Sequence, residues 1–300
     1  MLILPDDQEQ LYIPRLDVLD SRSMMDRISL PRVLLLAVGL SSIGLVSAFL
    51  EGPLSATSVA MNILSSVILS LFLAWFVSMI DLRRTHLIFL IWTVLFVIMY
   101  LNNMIEGYFF TTVISSLSIF GVGAVMILFV TLIEGVIAGL VLSTPARRDN
   151  LIASLRNYLT GRRTGSWAMR IVASSVVYFP IYFFFGAIVA PYVLPYYSDP
   201  SFGLVVPPIT VIVPLEVFRG FLYVISLLPV IAAIKGDKKT VFTILTATLF
   251  VPGALIPLLR AAASLPTPII PIHLAEILAD SIVYGFVLSC ILARPSIQSN

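Results

Sequence analysis

Apolar residues in this chain come in long runs broken by short polar punctuation, unlike the periodic alternation of a half-buried soluble helix or strand. Runs long enough to cross roughly 30 Å of hydrocarbon as helices lie at about 33–50, 57–80, 87–103, 115–143, 171–194, 208–234, 240–259 and 271–292. Only a helix or a closed barrel satisfies every backbone N–H and C=O in lipid. The pattern therefore predicts an all-α polytopic transmembrane bundle of about eight spans. Pro180, Pro214, Pro229, Pro252 and Pro257 fall inside the runs and predict kinks whose freed carbonyls neighbouring helices must satisfy. The stretch from Glu106 to Thr112, before the long fourth run, leaves room for a re-entrant or interfacial turn. No internal repeat supports an inverted-repeat transporter.

Basic residues orient the bundle, because cytoplasmic loops carry an excess of Lys and Arg. With the N-terminus inside, Arg15, Arg22, Arg27, Arg32, Arg83, Arg84, the six arginines from Arg147 to Arg170, Lys235, Lys238, Lys239 and Arg294 all fall on the cytoplasmic side. Only Arg219, within a span, and Arg260, outside, remain. The bundle is thus N-in and C-in, and the plasma membrane is its expected location.

Residues 1–30 hold six acids and three arginines without the plan of a secretory signal, and they read as a cytoplasmic tail with a short helix. Residues 31–294 form the transmembrane domain and 295–300 a C-terminal tail. The loop 144–170 reads as an amphipathic helix on the anionic inner leaflet, with Leu151, Leu155, Tyr158 and Leu159 as its apolar side. Its simplest role is an ordinary positive-inside anchor; lipid sensing is the sharper alternative. In the external loop 195–207, Tyr192, Tyr196 and Tyr197 fit an interfacial aromatic belt.

Composition narrows the class further. At 59% hydrophobic and 11% charged residues, with a mean hydropathy of +1.04, the chain has more apolar surface than a water-soluble fold can cover. A net charge of +2 gives no reason to expect a nucleic-acid partner. The single cysteine, Cys290, excludes an intramolecular disulfide and a multi-cysteine metal site.

Ionisable side chains inside spans cost about 2.5–3.5 kcal/mol each at a helix centre on insertion scales, so they mark where function is sought. The sixth run, with VPLEVFRGFLY, sets Glu216 and Arg219 three residues apart on one face. In PIHLAEILADSIVYG of the eighth, His273, Glu276 and Asp280 share one stripe at i, i+3 and i+7. Both runs enter from outside, and a rise of 1.5 Å per residue places Arg219 roughly 16 Å and Asp280 roughly 14 Å deep. The two are level and are expected to meet. At the outer end of the third run, Asn102, Asn103 and Glu106 reach the depth of His273. Glu134 sits nearer the inner half, separate from this cluster.

Three readings fit the cluster. It is a structural ion network, a catalytic site in which a carboxylate and His273 activate a water or hold a metal, or an outward-open path for a small solute, proton or cation. A scaffold subunit of a membrane complex belongs with the non-enzymatic readings, which rank above catalysis. EVFRGFLY resembles the E-E-x-x-x-R element of the CAAX-protease and bacteriocin-processing family of membrane peptidases, and His273 echoes that family's histidines. The resemblance implies a membrane-embedded hydrolase. Pro214 and Leu215, however, stand where the family's paired glutamates would fall. VYFPIYFFFGAIVAPYVLPYY, EVFRGFLY and IHLAEILADSIVYG also resemble multi-spanning prokaryotic membrane proteins to which no activity is attached.

No nucleotide loop, zinc-protease helix, haem signature or dinucleotide fingerprint is present, and no cofactor or metal is assigned. His86, flanked by Arg83 and Arg84, reads as an interfacial residue. The expected partners are the lipid bilayer, a small cation or lipid-like ligand in the cluster, and another membrane protein.

Overall fold

The computed structural model describes residues 29–293 except 115, 145, 146, 148 and 264. The two tails expected at 1–30 and 295–300 lie almost wholly outside the described residues. Among the described residues there are eight helices long and apolar enough to span a membrane, with one short amphipathic helix between the fourth and fifth spans. They are α1 (Leu30–Glu51), α2 (Ala56–Ser78), α3 (Arg84–Phe110), α4 (Leu117–Leu142), α5 (Leu151–Thr160, the short one), α6 (Thr164–Tyr197), α7 (Ile209–Ala233), α8 (Lys238–Ala261) and α9 (Ile269–Leu292). The protein is an all-helical polytopic membrane bundle.

Large apolar side chains cover the outside of the bundle, among them Leu35 and Val38 on α1, Val122 and Phe129 on α4, and Phe184 and Ile188 on α6. Water would penalise that surface, whereas lipid tails cover it at no cost. The inside is close-packed. Gly220 of α7 lies so near α6 that a Cβ there would stand 2.4 Å from the Ser175 carbonyl oxygen and 2.8 Å from the Tyr178 Cβ. Such small-residue contacts let helix backbones approach where hydrophobic driving force is absent.

Two spans are wound as π-helix in their middles, α3 over Val94–Leu101 and α8 over Val251–Leu255. The second carries Pro252, whose missing N–H breaks the regular ladder. The two segments face each other, since a Cβ on Gly253 would lie 3.3 Å from Ile98. Asn103 donates through Nδ2 to the carbonyls of Gly253 (2.8 Å) and Met99 (2.9 Å), so a side chain satisfies backbone oxygens that the irregular winding exposes.

Three expectations need correction. Glu106 to Thr112 makes no re-entrant turn: α3 stays helical through Phe110, because Glu106 has a buried partner in the bundle. The chain then turns beside the external loop, where Thr112 N–H donates to the Gly203 carbonyl at 2.8 Å and Val205 N–H to that of Phe110 at 2.9 Å. The loop 144–170 is shorter than expected, since α6 starts at Thr164 and runs 34 residues to Tyr197. At 1.5 Å per residue that is roughly 51 Å, so both ends of α6 extend past the hydrocarbon. Finally, the apolar side of α5 faces the protein rather than the leaflet. Leu151 and Tyr158 are buried in the core cluster and Leu155 and Leu159 pack against it, leaving Ile152 and Arg156 exposed.

At the cytoplasmic end α5 is fastened by specific bonds. Asn150 caps it by accepting from Ile152 N–H (2.9 Å) and Ala153 N–H, and the Nδ1 of His86 accepts from Leu151 N–H at 2.7 Å. Tyr158 Oη donates to the Leu292 carbonyl at 2.6 Å, Arg162 to those of Leu292 and Ala293, and Arg170 to that of Ile291. The open carbonyls at the end of α9 are thereby capped by cations, as the helix dipole favours. Nearby, Lys235 joins Asp149 at 2.7 Å and Asp81 at 3.2 Å. Partial burial works against its charge, but the hydrogen bonds to these two carboxylates outweigh it and hold its pKa above the ordinary value.

Candidate functional site

The outer half of the bundle encloses a polar cavity of about 80 Å³ between α3, α6, α7, α8 and α9. Asn103, Glu106, Arg219, His273, Glu276 and Asp280 line it, and Glu216 lies behind Arg219. Seven of the eight residues placed in the cluster from the sequence are thus gathered in one place, while Asn102 is buried on α3 and does not line the cavity. Glu106 and His273 keep 32% and 25% of their side-chain surfaces accessible, whereas Arg219 keeps 3% and Glu216 none. The cavity therefore opens toward the C-terminal end of α3 and the N-terminal end of α9, with Arg219 buried at its inner wall.

Arg219 is the centre of a carboxylate pair. It reaches Glu216, one turn earlier on α7, at 2.8 Å and Glu106 on α3 at 2.6 Å. Its guanidinium also lies 5.9 Å from the ring centres of Tyr178 and Tyr182, a cation–π distance. Two carboxylates against one guanidinium leave this group with a net charge of −1 when all are ionised.

The expected meeting of Arg219 with Asp280 does not occur. No ion pair or hydrogen bond joins them, and the Asp280 Oδ1 is buried without a hydrogen-bond partner. Equal depth of the Cα atoms was the wrong criterion. Side chains lean toward the N-terminus of their own helix. Arg219 and Asp280 stand on α7 and α9, which run the same way, so this lean does nothing to bring them together, and Arg219 turns to Glu216 and Glu106 instead. Glu106 stands on α3, which runs the opposite way, and leans inward to meet Arg219.

On α9, His273 Nδ1–H donates to Glu276 Oε2 at 2.8 Å, so the i, i+3 spacing forms a dyad one turn above Asp280. Among the described residues no three His, Cys, Asp or Glu side chains converge to hold a metal ion.

The sequence reading missed the tyrosines. Tyr178, Tyr182, Tyr197, Tyr223 and Tyr284 all line the cavity. Tyr284 donates to the carbonyls of Ser174 (3.1 Å) and Gly220 (3.3 Å), while its ring packs against Tyr178 and Tyr223. Tyr178, Tyr223 and Tyr284 form one buried ring cluster along the cavity wall. A signal was present: Tyr223 follows Arg219 by four residues and Tyr284 follows Asp280 by four, so each continues the stripe of a residue already chosen.

Arg260 is also misplaced by the sequence reading. It stands on the last turn of α8, but only 16% of its side chain is accessible, and it reaches inward to Glu134, Tyr100 and Ser65. Arg219 is therefore not the only cation inside the bundle. No protein-family model, curated protein or solved structure matches the chain. The fold and cavity define an integral membrane protein with a charged site between its spans.

Proposed function

We propose that the protein moves or exchanges a proton or small cation at the outer-half cavity of a plasma-membrane bundle, with Asp280 as the exchanging group. The observation that carries this reading is the free Oδ1 of Asp280, buried at the wall of a polar cavity while Arg219 is taken up by two other carboxylates. A buried carboxylate without a partner is costly, and a proton or cation relieves the cost. Two spans with irregular windings beside the cavity also suit such a site, because non-helical backbone at membrane depth is tolerated where it lines a cavity.

The test uses the full chain in proteoliposomes, with an internal pH dye and, separately, radioactive sodium. Wild-type protein is expected to dissipate a pH or sodium gradient, and Asp280→Asn to lose that flux. A wild-type protein that conducts neither ion overturns the reading.

One observation favours a second reading. The His273–Glu276 dyad beside Asp280 is a histidine held by a carboxylate next to an acid, the arrangement a membrane-embedded hydrolase needs, in line with the peptidase-like EVFRGFLY element. Peptide hydrolysis abolished by His273→Gln would establish it in place of transport.

A further inference from the structure

A second buried charge site lies apart from the cavity. Glu134 on α4 has no accessible surface, and neither carboxylate oxygen has a hydrogen-bond partner. Its one charged neighbour is Arg260, at 3.7 Å, a length beyond a hydrogen bond. Arg260 instead spends its donors elsewhere: Nη1 donates to Tyr100 Oη and Nε to Ser65 Oγ at 3.4 Å, while Nη2, on the Glu134 side, is unbonded. The elements packed around Glu134 offer nothing else that titrates. α2 has no ionisable residue, and α1 has them only at its two ends, Arg32 and Glu51. From α3 the nearest is Tyr100, already engaged by Arg260.

A carboxylate this isolated has a weak hold on its own charge, and a cation beside it that is anchored by other bonds stays in place whether or not the carboxylate is ionised. We infer that Glu134 is a second, inner proton-binding carboxyl, taking one proton from a hydronium ion or a water chain and returning it, with Arg260 balancing the charged form. No other bond changes. When Glu134 is ionised the pair is neutral; when it is protonated Arg260 keeps its bonds to Tyr100 and Ser65.

The site is joined to the cavity through α3, where Tyr100 faces Arg260 and Asn103, three residues on, lines the cavity. α8 makes the same link, with Gly253 at the cavity and Arg260 at Glu134. Both connecting stretches adjoin the π-helical windings, a geometry that recurs at functional sites. The place of Glu134 in ion movement rests on the transport reading of the cavity; its binding of a proton does not.

The test is infrared difference spectroscopy of the full protein in lipid films, cycled between acidic and alkaline buffer in H2O and D2O. A protonated-carboxyl stretch that shifts in D2O is expected in the wild type, retained in Asp280→Asn and missing one component in Glu134→Gln. Should Glu134→Gln fail to fold, Glu134→Asp is expected to displace that component. A Glu134→Gln spectrum identical to the wild type, or an unmoved component in Glu134→Asp, overturns proton binding at Glu134. If the component is assigned to Glu134 but the liposomes carry no flux, the transport reading alone falls.

Discussion

Arg219 and Glu106 meet at 2.6 Å across the boundary between α7 and α3, two helices that run in opposite directions. Glu216 takes the other terminal nitrogen of the same guanidinium at 2.8 Å, so both terminal nitrogens are engaged by acids other than Asp280, whose Oδ1 has no hydrogen-bond partner. It also ties the C-terminal part of α3 to the buried face of α7.

Arg219→Leu leaves Glu216 a buried acid without a cation and half-buried Glu106 without its partner, and breaking a buried pair from one side costs about 3–5 kcal/mol. Thermal unfolding in detergent is expected to show a clear loss. Adding Glu106→Gln and Glu216→Gln removes the orphaned charges and is expected to restore most of it, whereas adding Asp280→Leu instead is not. Equal rescue by Asp280→Leu would mean that Asp280 is the partner after all.

The membrane class, the eight spans and the gathering of seven polar residues were legible from the chain because hydrophobic run length and helical stripes are local properties. Pairing was not, because it depends on the direction of each helix. Arg219 with Glu106 and Arg260 with Glu134 both join helices of opposite direction, whose side chains lean toward one another. The same rule explains why Arg260, assigned to the outside by its position in the chain, points back into the bundle. Amphipathicity likewise showed that α5 has an apolar side but not what covers it, and the covering turned out to be protein.

Gly220→Ala tests the packing of α7 on α6. The added Cβ would meet the Ser175 carbonyl oxygen at 2.4 Å, and backbone cannot swing aside as a flexible side chain can. Overpacking of this kind costs about 1–3 kcal/mol. Because Tyr178 and the Tyr284 bond to the Gly220 carbonyl sit at the same contact, any flux through the cavity is expected to fall along with stability. An unchanged melting temperature would show that the helices have slack here.

Orientation is checked by thiol labelling in a Cys290→Ala background. Ser201→Cys, in the external turn after α6, is expected to react with an impermeant maleimide in intact cells, and Thr160→Cys, at the end of α5, only after lysis. The reverse pattern would invert the bundle and move the cavity to the cytoplasmic side.

The last prediction concerns the two fastenings of α5, which differ in what they hold. His86 Nδ1 accepts from the first N–H of α5, and only a neutral ring protonated at Nε2 can do so. His86→Phe fills the space but removes the acceptor, leaving Leu151 N–H unsatisfied at a residue that is 4% exposed, at a cost of about 1–3 kcal/mol. Hydrogen exchange measured at fixed pH is expected to quicken at the start of α5 and to stay unchanged in the last turn of α9. Arg162→Gln should do the opposite, since it removes charge-assisted bonds to the Leu292 and Ala293 carbonyls and the stacking on Trp167 at 5.0 Å. Faster exchange is then expected at the end of α9, the helix that carries Asp280 and His273, with the start of α5 held by His86 and Asn150. Should either variant loosen both regions equally, α5 and the end of α9 open as one unit, and His86 and Arg162 would hold a single latch instead of two.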